Sequence, residues 1–205
     1  MKSYKILDLI GNTPLVETTN LVKNKNVKLL LKLEGNNPGG SVKDRAAYNM
    51  IKSAVERGEI KKGDKLIEAT SGNTGISLAF VCASKGYPLT LVMPETMSME
   101  RRTLLLLLGA KLVLTPGPNG MKGAIAKANE MAEQDKKYLL MRQFENPANP
   151  EIHRQSTALE IWNDTDGQVD LVIAGIGTGG TFTGVGEVLK QKKPSLQMIA
   201  VEPVE

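Results

Sequence analysis

Short β-rich apolar runs alternate with longer helical patterns along almost the whole chain, and this alternation most constrains its fold. Runs at 28–33, 65–68, 89–93, 111–114, 138–141, 171–174 and 198–201 are rich in Leu, Ile and Val and predict strands. Between them, 42–57, 75–85, 99–108, 120–134, 151–164 and 181–191 predict helices. In one of these, Ala124, Ile125, Ala128, Met131 and Ala132 recur at three- and four-residue steps, which puts them on one face. Ser98 is placed to cap another, with Glu100 favourably set in its first turn. Strands apolar on both faces and separated by helices form parallel sheets under helical cover. The predicted class is α/β, and 205 residues suffice for one good core or two small lobes.

Composition removes several functions. The net charge is +4, but Lys and Glu are interleaved throughout and aromatics make up only 4%. A nucleic-acid surface needs basic clusters and stacking residues, so the charge reads as a solvated face. One cysteine, Cys82, excludes an internal disulfide or a cysteine metal cluster, and its apolar surroundings mark it as an inert core thiol. The single His153 cannot build a multi-histidine metal site; a surface or locally bonded role is expected, and no metal. No signal-peptide core opens the sequence, and its apolar runs are too short to span a bilayer, so a cytoplasmic location and no membrane contact are expected. Five consecutive leucines, 104–108, wrap every side of a helix and predict a segment sandwiched inside the protein with some oligomer contact. The run 146–150 (Asn-Pro-Ala-Asn-Pro) reads as a crossing between lobes or a long turn.

Ligands of α/β sheets collect where strands end and loops lead into helices. Three such loops are chemically loaded. Residues 37–45 read Asn-Pro-Gly-Gly-Ser-Val-Lys-Asp-Arg, with Ser41 as N-cap and Asp44 completing a capping-box pattern. Lys43 sits in the first helical turn, where partial positive charge disfavours an ammonium. With Arg45 nearby, this favours a neutral amine able to form a Schiff base; an exposed lysine tolerating a small penalty is the plain alternative. The second loop, Thr70, Ser71, Gly72, Asn73, Thr74 and Gly75, offers hydroxyls, an amide and free backbone N–H groups to a carboxylate or phosphate. A helix cap needs fewer such residues. The third, 175–181, has Thr178 and Thr181 beside Gly177, Gly179 and Gly180 and suits a terminal phosphate. Gly175, Gly177 and Gly180 also match the dinucleotide spacing, with Glu202 where a ribose-binding acid would fall, so a nicotinamide-dependent oxidoreductase is the rival of a different class. Together, a nucleophilic lysine, a carboxylate loop and a monophosphate cradle are what a pyridoxal-phosphate enzyme acting on an amino acid requires.

The sequence resembles the cysteine synthase (O-acetylserine sulfhydrylase) family of fold-type II pyridoxal-phosphate enzymes. The resemblance begins at Ile10-Gly11-Asn12-Thr13-Pro14-Leu15 and runs through Lys32-Leu33-Glu34, 37–45, 70–75, Met93-Pro94-Glu95, Gln143-Phe144, 146–150 and 177–181. It implies pyridoxal 5'-phosphate as cofactor, held by Lys43 through its aldehyde, with Lys43 later moving the Cα proton. Asn73 matches the residue on the cofactor's ring hydroxyl, and Gly177, Thr178, Gly179, Gly180 and Thr181 match the phosphate loop. Thr70, Ser71, Asn73, Thr74 and Gln143 match the groups that hold the substrate carboxylate. The implied reaction replaces the acetate of O-acetylserine by sulfide to give L-cysteine. A related β-synthase or dehydratase on the same fold, or a non-catalytic binding fragment, is the alternative. A homodimer and a serine acetyltransferase partner are further implications.

The resemblance also implies two lobes with mainly parallel sheets covered by helices. The smaller α/β lobe, 45–144, carries the substrate loop; 1–44 with 145–205 form the larger cofactor lobe, incomplete at its C-terminal end. Exposed strand edges and apolar faces are expected there, and weak or no activity from this chain alone.

Overall fold

A computed structural model describes residues 3–18, 20–61 and 63–204. Met1, Lys2, Thr19, Lys62 and Glu205, which include the ends of the expected lobe spans, lie outside the described residues. By its internal contacts the chain divides into two units, Met1–Ala46 with Pro147–Glu205, and Ala47–Asn146.

The first unit opens with β1 (Leu15–Thr18) and β2 (Leu29–Lys32), paired antiparallel with Leu15 opposite Lys32. Strand β1 was not anticipated from its short polar-mixed sequence, and its pairing is the antiparallel exception among the described sheets. Helix α1 (Lys43–Glu56) follows a turn at 37–42 and carries the chain out of this unit.

The second unit shows why the middle of the sequence is so apolar. Strands β3 (Lys65–Ala69), β4 (Leu89–Pro94), β5 (Lys111–Thr115) and β6 (Tyr138–Leu140) form one parallel sheet in the order β5-β4-β3-β6. All six residues of β4 are buried, as a central parallel strand requires. Between the strands run α2 (Asn73–Lys85), α3 (Met99–Leu107) and α4 (Gly120–Gln134). Ala124 and Ala128 of α4 lie on Ile67 and Val92 in one apolar cluster, the small alanines letting the helix approach the sheet. Full burial of Ile67 or Val92 contributes about 2 kcal/mol each. Helix α3 is capped as expected, the Ser98 hydroxyl accepting the Arg101 N–H at 3.4 Å.

The leucine run corrects an expectation. Leu105 is buried, but Leu104, Leu106 and Leu107 are exposed, Leu107 at 83%, so α3 is not sandwiched. One stripe of the helix faces the unit and the rest faces outward.

The chain returns to the first unit at Pro147. Helix α5 (Ala148–Ile152), a π-helical turn (His153–Thr157) and α6 (Ala158–Asp164) run without a break. Then come β7 (Leu171–Gly175), α7 (Gly180–Lys192) and β8 (Gln197–Val201), with β7 and β8 parallel. Ala158, Val185, Leu189 and Leu196 are buried together under Trp162 and Val172. The opposite face of this two-stranded sheet leaves Leu171, Ile173, Ile199 and Val201 exposed.

Candidate active site

In the first unit the turn before α1 is built around Asp44. Its carboxylate accepts the Gly39 N–H at 2.5 Å, and a Cβ at position 39 would collide with that carboxylate, so glycine is required. Gly40 has a φ of +84°, which glycine adopts without steric cost. The Ser41 hydroxyl accepts the Lys43 N–H at 3.2 Å. Lys43 therefore begins α1 with its side chain half-buried. Burial holds its amine below the usual lysine range, while the Glu34 carboxylate pulls it partly back up.

Two residues on, Arg45 is 1% exposed. It donates from Nε and Nη2 to Glu34 at 2.8 Å each, and from Nη1 and Nη2 to Glu160 at 2.6 and 2.7 Å. Lys32 pairs with Glu160 at 2.8 Å, and the Asn12 N–H donates to the same carboxylate at 3.0 Å. The network ties the start of α1 to β2, the N-terminal segment and α6. Hydrogen bonds from Arg45 and Lys32 outweigh burial and hold the Glu160 carboxyl down to about 2.

The glycine loop lies in the same unit, between β7 and α7. Gly179 has a φ of +79°, and a Cβ at Gly177 or Gly179 would meet no atom within 4 Å, so the loop has an open side. The Thr178 hydroxyl accepts from Asn149 Nδ2 at 2.9 Å and from the Gly180 N–H at 3.4 Å. A Cβ at Gly180 would collide with the Asn149 side chain, so α7 starts hard against α5. A helix of 13 residues, opened by small residues with hydroxyls at Thr178 and Thr181, is a donor set suited to a single terminal phosphate. His153 joins this loop to Lys43 electrostatically. Its ring bonds Thr157 at 2.9 Å through Nδ1 and Thr181 at 3.3 Å through Nε2. Burial first, then the positive charges of Arg45 and Lys43, lower its pKa to about 4, so the imidazole is neutral at pH 7. His153 is thus buried and locally bonded, and not at the surface.

The second unit holds the other candidate residues. Thr70 is buried at the end of β3, its hydroxyl accepting the Gly72 N–H at 3.3 Å. The Ser71 carbonyl accepts from the Arg101 guanidinium. Asn73 starts α2 and is exposed. Thr74 is buried and donates to Gln143 Oε1 at 2.5 Å, which brings together two residues 69 positions apart in sequence. Lys43 and the glycine loop thus share one unit, and Thr70, Ser71, Asn73, Thr74 and Gln143 share the other.

Sequence reasoning missed the Arg45 network, although an arginine two residues after Lys43 and the Glu of Lys32-Leu33-Glu34 were signals within reach. It also passed over Glu68, an acid that follows two apolar residues inside the strand Lys65–Ala69. Cys82 is buried and its thiol is pushed up to about 12 by burial. Among the described residues no group of three His, Cys, Asp or Glu could hold a metal ion, and no helix is long and apolar enough to cross a membrane.

Comparison with known proteins places this geometry. A family model described as "Pyridoxal-phosphate dependent enzyme" matches residues 6–205. A cysteine synthase of Haemophilus influenzae is 54% identical over 198 residues, which cover 96% of this chain and 62% of that protein. A cysteine synthase of Staphylococcus aureus is 53% identical, covering 97% of this chain and 64% of that protein. The crystal structure of cysteine synthase from Entamoeba histolytica matches with a TM-score of 0.95 at 46% identity, over 99% of this chain and 61% of that one. An O-ureido-L-serine synthase structure matches at a TM-score of 0.94 and 45% identity, over 99% and 64%. The chain therefore spans less than two thirds of the length of these relatives. With a lysine at the head of α1, a glycine–threonine cradle at the head of α7 and a family match over nearly all its residues, the chain belongs to the pyridoxal-phosphate dependent enzymes.

Proposed function

We propose that this chain carries the chemistry of a cysteine synthase, replacing the acetate of O-acetylserine by sulfide to give L-cysteine. The observation that carries the reading is the pairing, within one unit, of a desolvated Lys43 amine with an open phosphate cradle, in a sequence 54% identical to a cysteine synthase. The residues fit the family's cofactor. The head of α7, with the N–H groups of Gly179, Gly180 and Thr181 and the Thr178 hydroxyl, would take its phosphate. Lys43 would hold its aldehyde carbon, and Asn73 its ring hydroxyl. When bound, the cofactor supplies an electron sink that makes the substrate's Cα proton acidic.

The chain's own residues do the rest. Lys43, biased by burial toward the neutral amine, takes the Cα proton on Nζ and later returns it to the same carbon. The first transfer accompanies loss of acetate from Cβ; the second follows attack of sulfide there. Thr70, Ser71, Thr74 and Gln143 hold the substrate carboxylate, through hydroxyl and amide groups that leave the bound charge uncompensated by any cation of the loop. His153 keeps the Thr181 hydroxyl in place as a neutral ring. A homodimer, a serine acetyltransferase partner and a cytoplasmic location belong to the same proposal, carried by the family resemblance.

The test is product formation from O-acetylserine and sulfide by the cofactor-loaded chain, beside O-phosphoserine, threonine and hydroxyurea as rival substrates. Cysteine formation that Lys43→Ala abolishes, even at the weak rate expected of this chain alone, supports the reading. Turnover of threonine or of hydroxyurea in preference would move it to a dehydratase or to a ureidoserine synthase.

A further inference from the structure

Glu68 is a buried charge inside a parallel sheet, at 5% exposure between Ile67 and Ala69 on β3. Its oxygens do not reach for a side-chain cation. Oε2 accepts the backbone N–H of Arg142 at 2.8 Å and Oε1 that of Gln143 at 3.4 Å. Arg142 needs such a hold. Its φ is +51°, a left-handed conformation unfavourable to a residue with a side chain, and its guanidinium points away to Glu145. The next residue is Gln143, whose side chain meets Thr74 at 2.5 Å. The loop holding Thr74 begins directly after β3, so one carboxylate stands at the root of that loop and clamps the turn opposite it.

We infer that Glu68 is a positioning residue: by holding the N–H groups of Arg142 and Gln143 it aims the Gln143 amide at Thr74 and sets the shape of the carboxylate-binding loop. The inference deepens the function proposed above and rests on it. A carboxylate offers two acceptors to two N–H donors. A glutamine offers one acceptor and turns an NH2 toward the other donor, and a protonated Glu68 likewise presents an O–H to one of them. Burial pushes the carboxyl up to about 7, so this exchange of acceptor for donor falls near neutral pH. The charged groups around it are Arg142 and Glu145 of the turn it clamps. Glu133 of α4, Lys136 and Tyr138 join them around a 610 Å³ cavity, while β4 on the other side of β3 brings no titratable group.

Residue-resolved hydrogen–deuterium exchange of the full chain tests the clamp, and calorimetric titration of the cofactor-loaded chain with L-serine tests its consequence. In Glu68→Gln the Arg142 and Gln143 amides are expected to exchange about tenfold faster while those of β6 are unchanged. Serine affinity should fall about tenfold and lose the dependence on pH near 7 that is expected of the unaltered chain. Unchanged exchange at 142 and 143 overturns the inference, and so does faster exchange with serine affinity and its pH profile retained. Serine that fails to bind the unaltered chain counts against the proposed function, and the exchange result then decides the clamp alone. Should Glu68→Gln not fold, loss of protection at 142 and 143 in the unaltered chain as pH falls below 7 supports the clamp; constant protection overturns it.

Discussion

Replacing Arg45 by methionine is the sharpest perturbation of the first unit. The guanidinium is 1% exposed and makes four charge-assisted bonds to Glu34 and Glu160, at 2.6 to 2.8 Å. Methionine fills similar volume, so the packing loss is small and the electrostatic loss dominates. Glu160 keeps Lys32 at 2.8 Å and is not orphaned. Glu34 keeps only neutral donors, Thr13 at 2.6 Å and Asn37 at 2.9 Å. Removing one partner of a buried ion pair costs roughly 3–5 kcal/mol, and the surviving partners put this case near ~3 kcal/mol. The pH dependence has a definite sign. Glu160 is held at about 2, below its unfolded value, so its contribution is full above about pH 4.5 and is lost as pH falls through about 2. That contribution is about 2 kcal/mol once the solvent reaching this partly exposed group is allowed for. The assay is urea denaturation at neutral and acid pH, followed by the fluorescence of Trp162, the chain's single tryptophan, which sits on α6 beside Glu160. Arg45→Met should lose ~3 kcal/mol at pH 7 and show a shallower fall toward acid. A variant within ~1 kcal/mol of the original, with the same acid profile, would refute the reasoning.

Other outcomes follow from single contacts. His153 has its pKa lowered to about 4, so the folded state binds fewer protons than the unfolded one. Its neutral form contributes about 3 kcal/mol above the unfolded value near 6.5, lost as pH falls through about 4. In His153→Gln the part of the acid sensitivity between those values should disappear from the same denaturation curves. In Gly180→Ala a Cβ enters the Asn149 side chain, so stability should drop by about 1–3 kcal/mol and retention of pyridoxal phosphate on dialysis should weaken. Cys82, buried with its thiol pushed up to about 12, should resist a thiol reagent in the native chain and react at once in urea.

Much of this was legible because the relevant signals are local. The strand of residues 89–93 is apolar at every position but Thr90, a pattern that suits a doubly covered strand, and it proved to be central. The Gly-Thr run after residue 174 could hardly be anything but a turn into a helix, and α7 begins within it. What escaped depends on tertiary surroundings. Nothing in Leu104 to Leu108 says how many sides of the helix are covered, and only Leu105 proved buried. The role of His153 comes from a π turn that aims its ring at Thr181, and no periodicity announces such a turn. Strand β1 is too short and too polar to declare itself without β2 beside it. Gln143 could be matched to the carboxylate loop by resemblance, but its 2.5 Å bond to Thr74 and the bond of Glu68 to the neighbouring Arg142 N–H join residues far apart in sequence.

The most direct measurement is to load the chain with pyridoxal phosphate, reduce it with borohydride and find the labelled residue by peptide mass spectrometry. The phosphopyridoxyl mass should sit on Lys43 alone and be absent from Lys43→Ala. A label on another lysine, or none, would contradict the assignment of that amine as the group that holds the cofactor and moves the proton.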